Sequence, residues 1–244
     1  MIKFIDEDGL IDPKTAASDF GAATAITAFS DFLFDELLET LGAKQIGCIT
    51  GGVDKPVYGA ERNGKRIVVY KSPVGAPAAA MAMEEVGACG VKNFVAFGIC
   101  GALVNTAHRS FLVPDKAYRD EGTSYHYLAP SDYMIIKNSA TVADKLSATG
   151  VAATVGGTWT TDGFYRETPT RKAELASKGC IAVDMECSAL QAVCDFRGYE
   201  FYTFFISADS LADDEWQPND IMSLTVGTAD RAAVAAAIEL AFSL

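Results

Sequence analysis

The sequence predicts an α/β fold, a mixed and largely parallel sheet with helices on both faces. Three observations lead there. From about residue 28 onward, short β-rich runs alternate with segments of helical periodicity. Two of those runs, NFVAFGI (93–99) and EFYTFFIS (200–207), are almost continuously apolar, as strands covered on both faces are. Half of the 244 residues are apolar, and no Pro/Ser-rich linker, low-complexity run or internal repeat divides them. Residues 1–244 are therefore expected to form one domain that buries roughly 70–75% of its unfolded surface.

The elements follow in order. SDFLFDELLETLG (30–42) reads as a helix with Ser30 as N-cap, Gly42 as C-cap, and Leu33, Leu37 and Leu41 along one face. QIGCIT (45–50), PVYGAE (56–61) and RIVVYK (66–71) read as strands, and the Ala-rich stretch 76–90 as a close-packed helix. After the apolar strand at 93–99 come strands at 110–118 and 151–159, with a helix near 132–147 between them. GCIAV (179–183) leads into a helix at 185–197, the second apolar strand follows at 200–207, and residues 228–244 make a closing helix.

Composition narrows the function classes. The formal charge of −12 repels nucleic acid and anionic membrane, and no basic patch with interleaved aromatics offsets it. A small-molecule ligand or a protein partner is the expectation. No stretch reaches the ~18 uninterrupted apolar residues of a membrane span. MIKFIDEDGLID carries acids where a signal peptide needs a basic start, so a cytoplasmic protein is expected. Six cysteines without a CxxC pair, and only two histidines, argue against a zinc site. The cysteines read as small buried hydrophobes in a reducing compartment; for Cys100, in a glycine-bracketed stretch, a reactive role is also open.

In sheets of this kind ligands gather beyond the carboxyl ends of the strands. The residues found there are GICGA after 93–98, TWTTDGFYRET after 151–157, DMEC after 179–183 and SADS after 200–206. Together they supply two glycines, hydroxyls, an aromatic pair and the acids Asp162, Asp184, Glu186 and Asp209. Asp184 can cap the helix that follows it. Glu186 suits the positive end of the helix dipole, but that helix is apolar on two sides, so Glu186 is expected to face a cavity, where a carboxylate can hold a sugar's vicinal hydroxyls. Asp209 is either an ordinary loop acid or, if buried beside an aromatic platform, a proton donor.

VDMECSAL, FGICGAL, GTSYHYLAPSDY, TTDGFYRE, SADSL and SPVGAPAAAMAMEE, taken in this family's order across about residues 46 to 215, resemble the nucleoside phosphorylase and nucleosidase superfamily. The resemblance implies a partly closed central mixed sheet and cleavage of a ribosyl N-glycosidic bond. It implies Met185 under the ribose and Glu186 on its hydroxyls, with Asp184 replacing a glutamate of the family. Phe164, beside Tyr165, would stack on the base, and the backbone around Gly98, Cys100 and Gly101 would line the pocket. Asp209 would donate to a purine's N7. Relatives assemble as dimers or hexamers, so a homo-oligomer is implied. No metal or organic cofactor is expected, only phosphate as a possible co-substrate.

Two departures complicate that reading. Where phosphorylases of the family carry an arginine and a hydroxyl residue for phosphate, Ala96 and Ile99 stand. Thr50, Gly51, Gly52, Lys55 and Arg62 could build another anion site, or simply a hairpin or loop turn. The family's uracil-reading glutamine is also absent from FYRETPTR, where Arg166 is either a base reader or a surface charge. Asp209 leans toward purines and GTSYHYLAPSDY toward the uridine-type branch. Water as nucleophile, or a catalytically weak nucleoside-binding protein, are the alternatives to phosphorolysis.

Overall fold

The computed structural model describes residues 4–7, 9–16, 18–50, 55–213, 215–219, 221 and 226–244. After a 3-10 turn (Pro13–Ala16) come β1 (Thr24–Ala28), α1 (Asp31–Leu41), β2 (Lys44–Ile49), β3 (Lys55–Arg62), β4 (Lys65–Lys71) and α2 (Ala76–Ala88). The middle of the chain forms β5 (Asn93–Ala102), β6 (Phe111–Asp120), α3 (Ser124–Tyr127), β7 (Tyr133–Ile135), α4 (Ser139–Ala148) and β8 (Ala153–Thr161). The last third forms α5 (Pro169–Ser177), β9 (Cys180–Asp184), α6 (Cys187–Arg197), β10 (Glu200–Ser210) and α7 (Thr228–Ser243).

Period-2 geometry explains why the apolar runs are continuous. Phe94 and Ala96 of β5 enter one core cluster with Met83 and Val86 of α2 and Leu190 and Val193 of α6. Val95 and Phe97, pointing the other way, join Leu33 and Leu37 of α1 with Val234 and Leu240 of α7. Both faces of the strand are thus covered by helices. Ala96 is sealed in the first cluster.

The sheet holds ten strands in one network, with β5, β10, β6, β8 and β9 each paired to the next around a closed ring, and β1, β4, β3 and β2 extending from β5 as an open wing. Most pairs in the ring are parallel; β5–β9 and β6–β10 are antiparallel. This is the mixed, partly closed sheet that was expected.

One edge of β5 changes neighbour part-way along. β1 pairs in parallel with residues 93–97, and β9 pairs antiparallel with Gly101 and Ala102. Between those pairings the sheet splits, and chains leave it in opposite directions, the arrangement that opens a ligand crevice in α/β proteins.

Several expectations need correction. GICGA is the continuation of β5 rather than a loop, and Asp209 likewise lies within β10. β1 was not anticipated, because TAITA is short and made of small residues, although all five are buried. The helix expected near 132–147 divides into β7 and α4: pairing of Tyr133–Ile135 with β6 buries Met134 and exposes its neighbours, a strand pattern that overrides the helical one. α3 and α5 are also additional. The helix expected from 185 begins at Cys187, which leaves Met185 and Glu186 in the turn before it. Among the described residues no helix is long and apolar enough to cross a membrane.

Candidate active site

A cavity of about 360 Å³ opens where β1 and β9 part along β5. Its wall includes Phe29 and Ser30 of the β1–α1 turn, Asp31 and Phe32 at the start of α1, Ile99, Cys100 and Gly101 of β5, Phe164 and Glu167, Val183–Glu186, and Asp209. Four separate strand ends therefore deliver side chains to one space. Two glycines permit the close packing around it. A Cβ on Gly98 would stand 2.8 Å from the ring of Phe29, and one on Gly101 would stand 2.8 Å from Val183 and 2.9 Å from Leu211.

Asp184 is buried and its carboxylate is fully used. Oδ1 accepts from Thr158 Oγ1 and Thr160 Oγ1, both at 2.9 Å, and Oδ2 accepts from the N–H groups of Glu186 at 2.8 Å and Cys187 at 2.6 Å. Two oxygens offer roughly four acceptor sites, so no site is left for a ligand. Burial raises the carboxyl above its ordinary range, and the four donors oppose that rise. Asp184 lines the cavity as a cap that joins β8, β9 and α6.

Glu186 is also buried, but only part of its capacity is consumed. Oε1 accepts from the N–H of Gly75 at 2.6 Å. Gly75 has φ +96°, a conformation that favours glycine, and it starts α2 in the SPVGAP turn. Burial first, then the charge of Asp184, push the Glu186 carboxyl up to about 8, against the backbone N–H groups of Gly75 and Met185 and the charge of Lys71. Lys71 lines the same wall. Its Nζ donates to Phe29 O at 2.7 Å and Ser72 O at 3.1 Å and pairs with Asp31 at 3.3 Å, and burial lowers its ordinary value despite that acid.

Asp209 sits opposite Gly101 beside a break in the β5–β10 register between Ser207 and Asp209. Such a bulge re-aims a side chain. Oδ2 accepts from Trp216 Nε1 at 2.7 Å, whereas the buried Oδ1 has no hydrogen-bond partner among the described residues. Burial raises the carboxyl above its ordinary range; Trp216 opposes. Glu167, in the same cavity, is pushed up to about 7 by burial and then by the charge of Asp209. Cys100 shares the cavity with Asp184 and Asp209, and burial with those charges holds its thiol well above the usual range, so it is no reactive thiolate.

The remaining expected residues divide. Met185, Phe164, Cys100 and Gly101 line the cavity with Glu186 and Asp209. Tyr165 is 93% exposed, Arg166 is exposed, and Gly98 is covered by Phe29; none of the three lines the cavity. Asp162 accepts from the N–H of Gly122 at 2.9 Å and ties two loops. The GTSYHYLAPSDY segment is wrapped on buried Arg119, which donates to Ser124, Leu128, Ala129 and Ser131. Of the alternative anion site, Gly51 and Gly52 lie outside the described residues, Thr50 N–H donates to Glu85, and Arg62 pairs with Glu239. Sequence reasoning missed Asp31, Lys71 and Glu167. Glu167 stood in plain view beside Phe164; the others belong to elements whose approach to the cavity only the sheet topology reveals.

A family model described as the phosphorylase superfamily matches residues 23–242. Among similar proteins, a DeoD-type purine nucleoside phosphorylase of Caldanaerobacter subterraneus is 28% identical over 160 residues, covering 62% of this chain and 68% of that protein. One from Colwellia psychrerythraea is 28% identical over 176 residues, covering 69% and 74%. A uridine phosphorylase of Salmonella typhimurium is 27% identical over 176 residues, covering 60% and 68%.

Proposed function

The chain belongs to the phosphorylase superfamily, and from that premise we propose that it cleaves the N-ribosyl bond of a purine nucleoside, with water as the attacking group. The observation that carries the cleavage is the buried Asp209 Oδ1, without a partner among the described residues, in one cavity with Glu186, Met185 and Phe164. Phe164 stacks on the base and Met185 packs beneath the ribose. Glu186 accepts from ribose hydroxyls, whose donors favour its ionised form. In its protonated form Asp209 donates to N7 as the C1′–N9 bond breaks and its electron pair passes to the base. The water oxygen bonds to C1′, its proton leaves to solvent, and Asp209 is reprotonated. A positioned acid of this kind contributes about 10²–10⁴-fold.

The names of the relatives favour phosphate as nucleophile; the charges favour water. The described lining carries the carboxyl groups of Asp31, Glu167, Asp184, Glu186 and Asp209 but a single ammonium, Lys71, already engaged by two carbonyls and Asp31. Among the described lining a phosphate dianion finds no uncommitted cation to offset its desolvation. Purified protein incubated with adenosine, inosine and uridine, with and without phosphate, tests this. Free ribose in phosphate-free buffer is expected. Product that forms only with phosphate, as ribose 1-phosphate, would overturn the water reading, and nucleoside binding without turnover would overturn catalysis.

A further inference from the structure

Glu167 has no task in that mechanism. It follows the 3-10 turn Phe164–Arg166, its N–H donating to Phe164 O at 3.5 Å, so one turn presents both an aromatic ring and a carboxyl to the cavity. Among the described residues its side chain makes no hydrogen bond or ion pair. The charge acting on it is that of Asp209, whose own Oδ1 lacks a partner. Elsewhere in the cavity Glu186 feels Asp184 and Lys71, Lys71 feels Asp31 and Glu186, and Cys100 feels both Asp184 and Asp209. Glu167 thus shares its turn with Phe164, and Asp209 lines the same cavity.

We propose that Glu167 and Asp209 act together as the base reader and select a 6-aminopurine over a 6-oxopurine. The proposal rests on the nucleoside reading above. Two buried carboxyls lining one cavity do not both ionise freely, and a pair that shares one proton offers a ligand one donor and one acceptor. A 6-aminopurine presents a matching edge, the N7 acceptor beside the amino donor, whereas a 6-oxopurine presents two acceptors, N7 and O6. When N7 draws the shared proton onto Asp209, Glu167 is left ionised and accepts from the amino group. Against O6 it meets a second acceptor and stays unsatisfied.

The test compares wild type with Glu167→Gln, whose amide can donate to O6. The readouts are kcat/KM for adenosine and inosine, and calorimetric affinity for free adenine and hypoxanthine. Wild type is expected to prefer adenosine and adenine. Glu167→Gln should move both ratios toward the oxo partner by roughly 10–100-fold, the scale of a hydrogen bond to a charged group. Glu167→Asp, which keeps the acceptor, should retain the sign of the preference and stands in if the glutamine variant does not fold. Unchanged ratios in Glu167→Gln, or a wild type that prefers hypoxanthine or uridine, would overturn the inference. A wild type that turns over no nucleoside yet binds adenine preferentially through Glu167 would remove the catalytic reading and leave this one standing.

Discussion

Asp184 and Asp209 lie at the ends of β9 and β10, the two strands that pair with the last residues of β5, both buried, both facing the same cavity, and their environments differ in one respect. Asp184 receives four hydrogen bonds from the protein. Asp209 receives one at Oδ2, from Trp216, and keeps Oδ1 unpartnered among the described residues. A buried acceptor without a donor costs roughly 1–3 kcal/mol. A fold tolerates that cost where a ligand supplies the missing partner. A saturated carboxylate is therefore scaffold and an unsaturated one is chemistry, and the two should respond oppositely to substitution.

The largest effect is expected at Asp209. Asp209→Asn should lower kcat for purine nucleosides by about 10²–10⁴-fold while the melting temperature barely moves, and pyrimidine nucleosides, if turned over at all, should lose far less. Equal losses on both classes would contradict donation to N7. Asp184→Ala should do the reverse. It leaves two hydroxyls and two backbone N–H groups buried without their acceptor, so chemical denaturation should show a loss on the order of 3–5 kcal/mol. A variant of normal stability and reduced sugar affinity would reassign Asp184 to the ligand.

Glu186 lies between these extremes, and pH separates its two roles. Its carboxyl is ordinarily near 4.5 and is pushed up to about 8 in the folded protein. Below 4.5 it is protonated folded or unfolded, and its contribution is constant. Between 4.5 and about 8 only the unfolded chain releases the proton, so stability falls as pH rises. Glu186→Gln should flatten that slope and raise stability at pH 8 by roughly 1–3 kcal/mol, while abolishing most activity. The smallest effect is expected from Trp216→Phe. Losing the bond to Oδ2 removes a restraint on the Asp209 carboxyl, so the fall in rate at high pH should move to still higher pH, with less than about a tenfold change in maximum rate.

The wall of the site was more legible than its closure. VDMEC and SADS place acids at the ends of strongly apolar strands, and the apolarity itself marks strands covered on both faces. What a carboxylate finds at that place depends on other strands: Asp184 meets hydroxyls of β8, and Asp209 meets an indole seven residues on. No local pattern distinguishes those outcomes. β1 and the split along β5 were hidden for a similar reason, since TAITA owes its strand to partners on both sides rather than to its own propensity. Arg166 and Tyr165 drew attention by residue type, yet the turn points them outward and presents Glu167 to the cavity.

The central contrast can be seen directly in crystals of the Asp209→Asn variant grown with adenosine, which that variant should bind without cleaving. The account predicts intact nucleoside in the cavity, the position-209 side chain within hydrogen-bond distance of N7, Glu186 on the ribose hydroxyls, and Asp184 still holding its four protein donors. Adenosine bound with its base turned away from position 209, or with its sugar on Asp184, would contradict it.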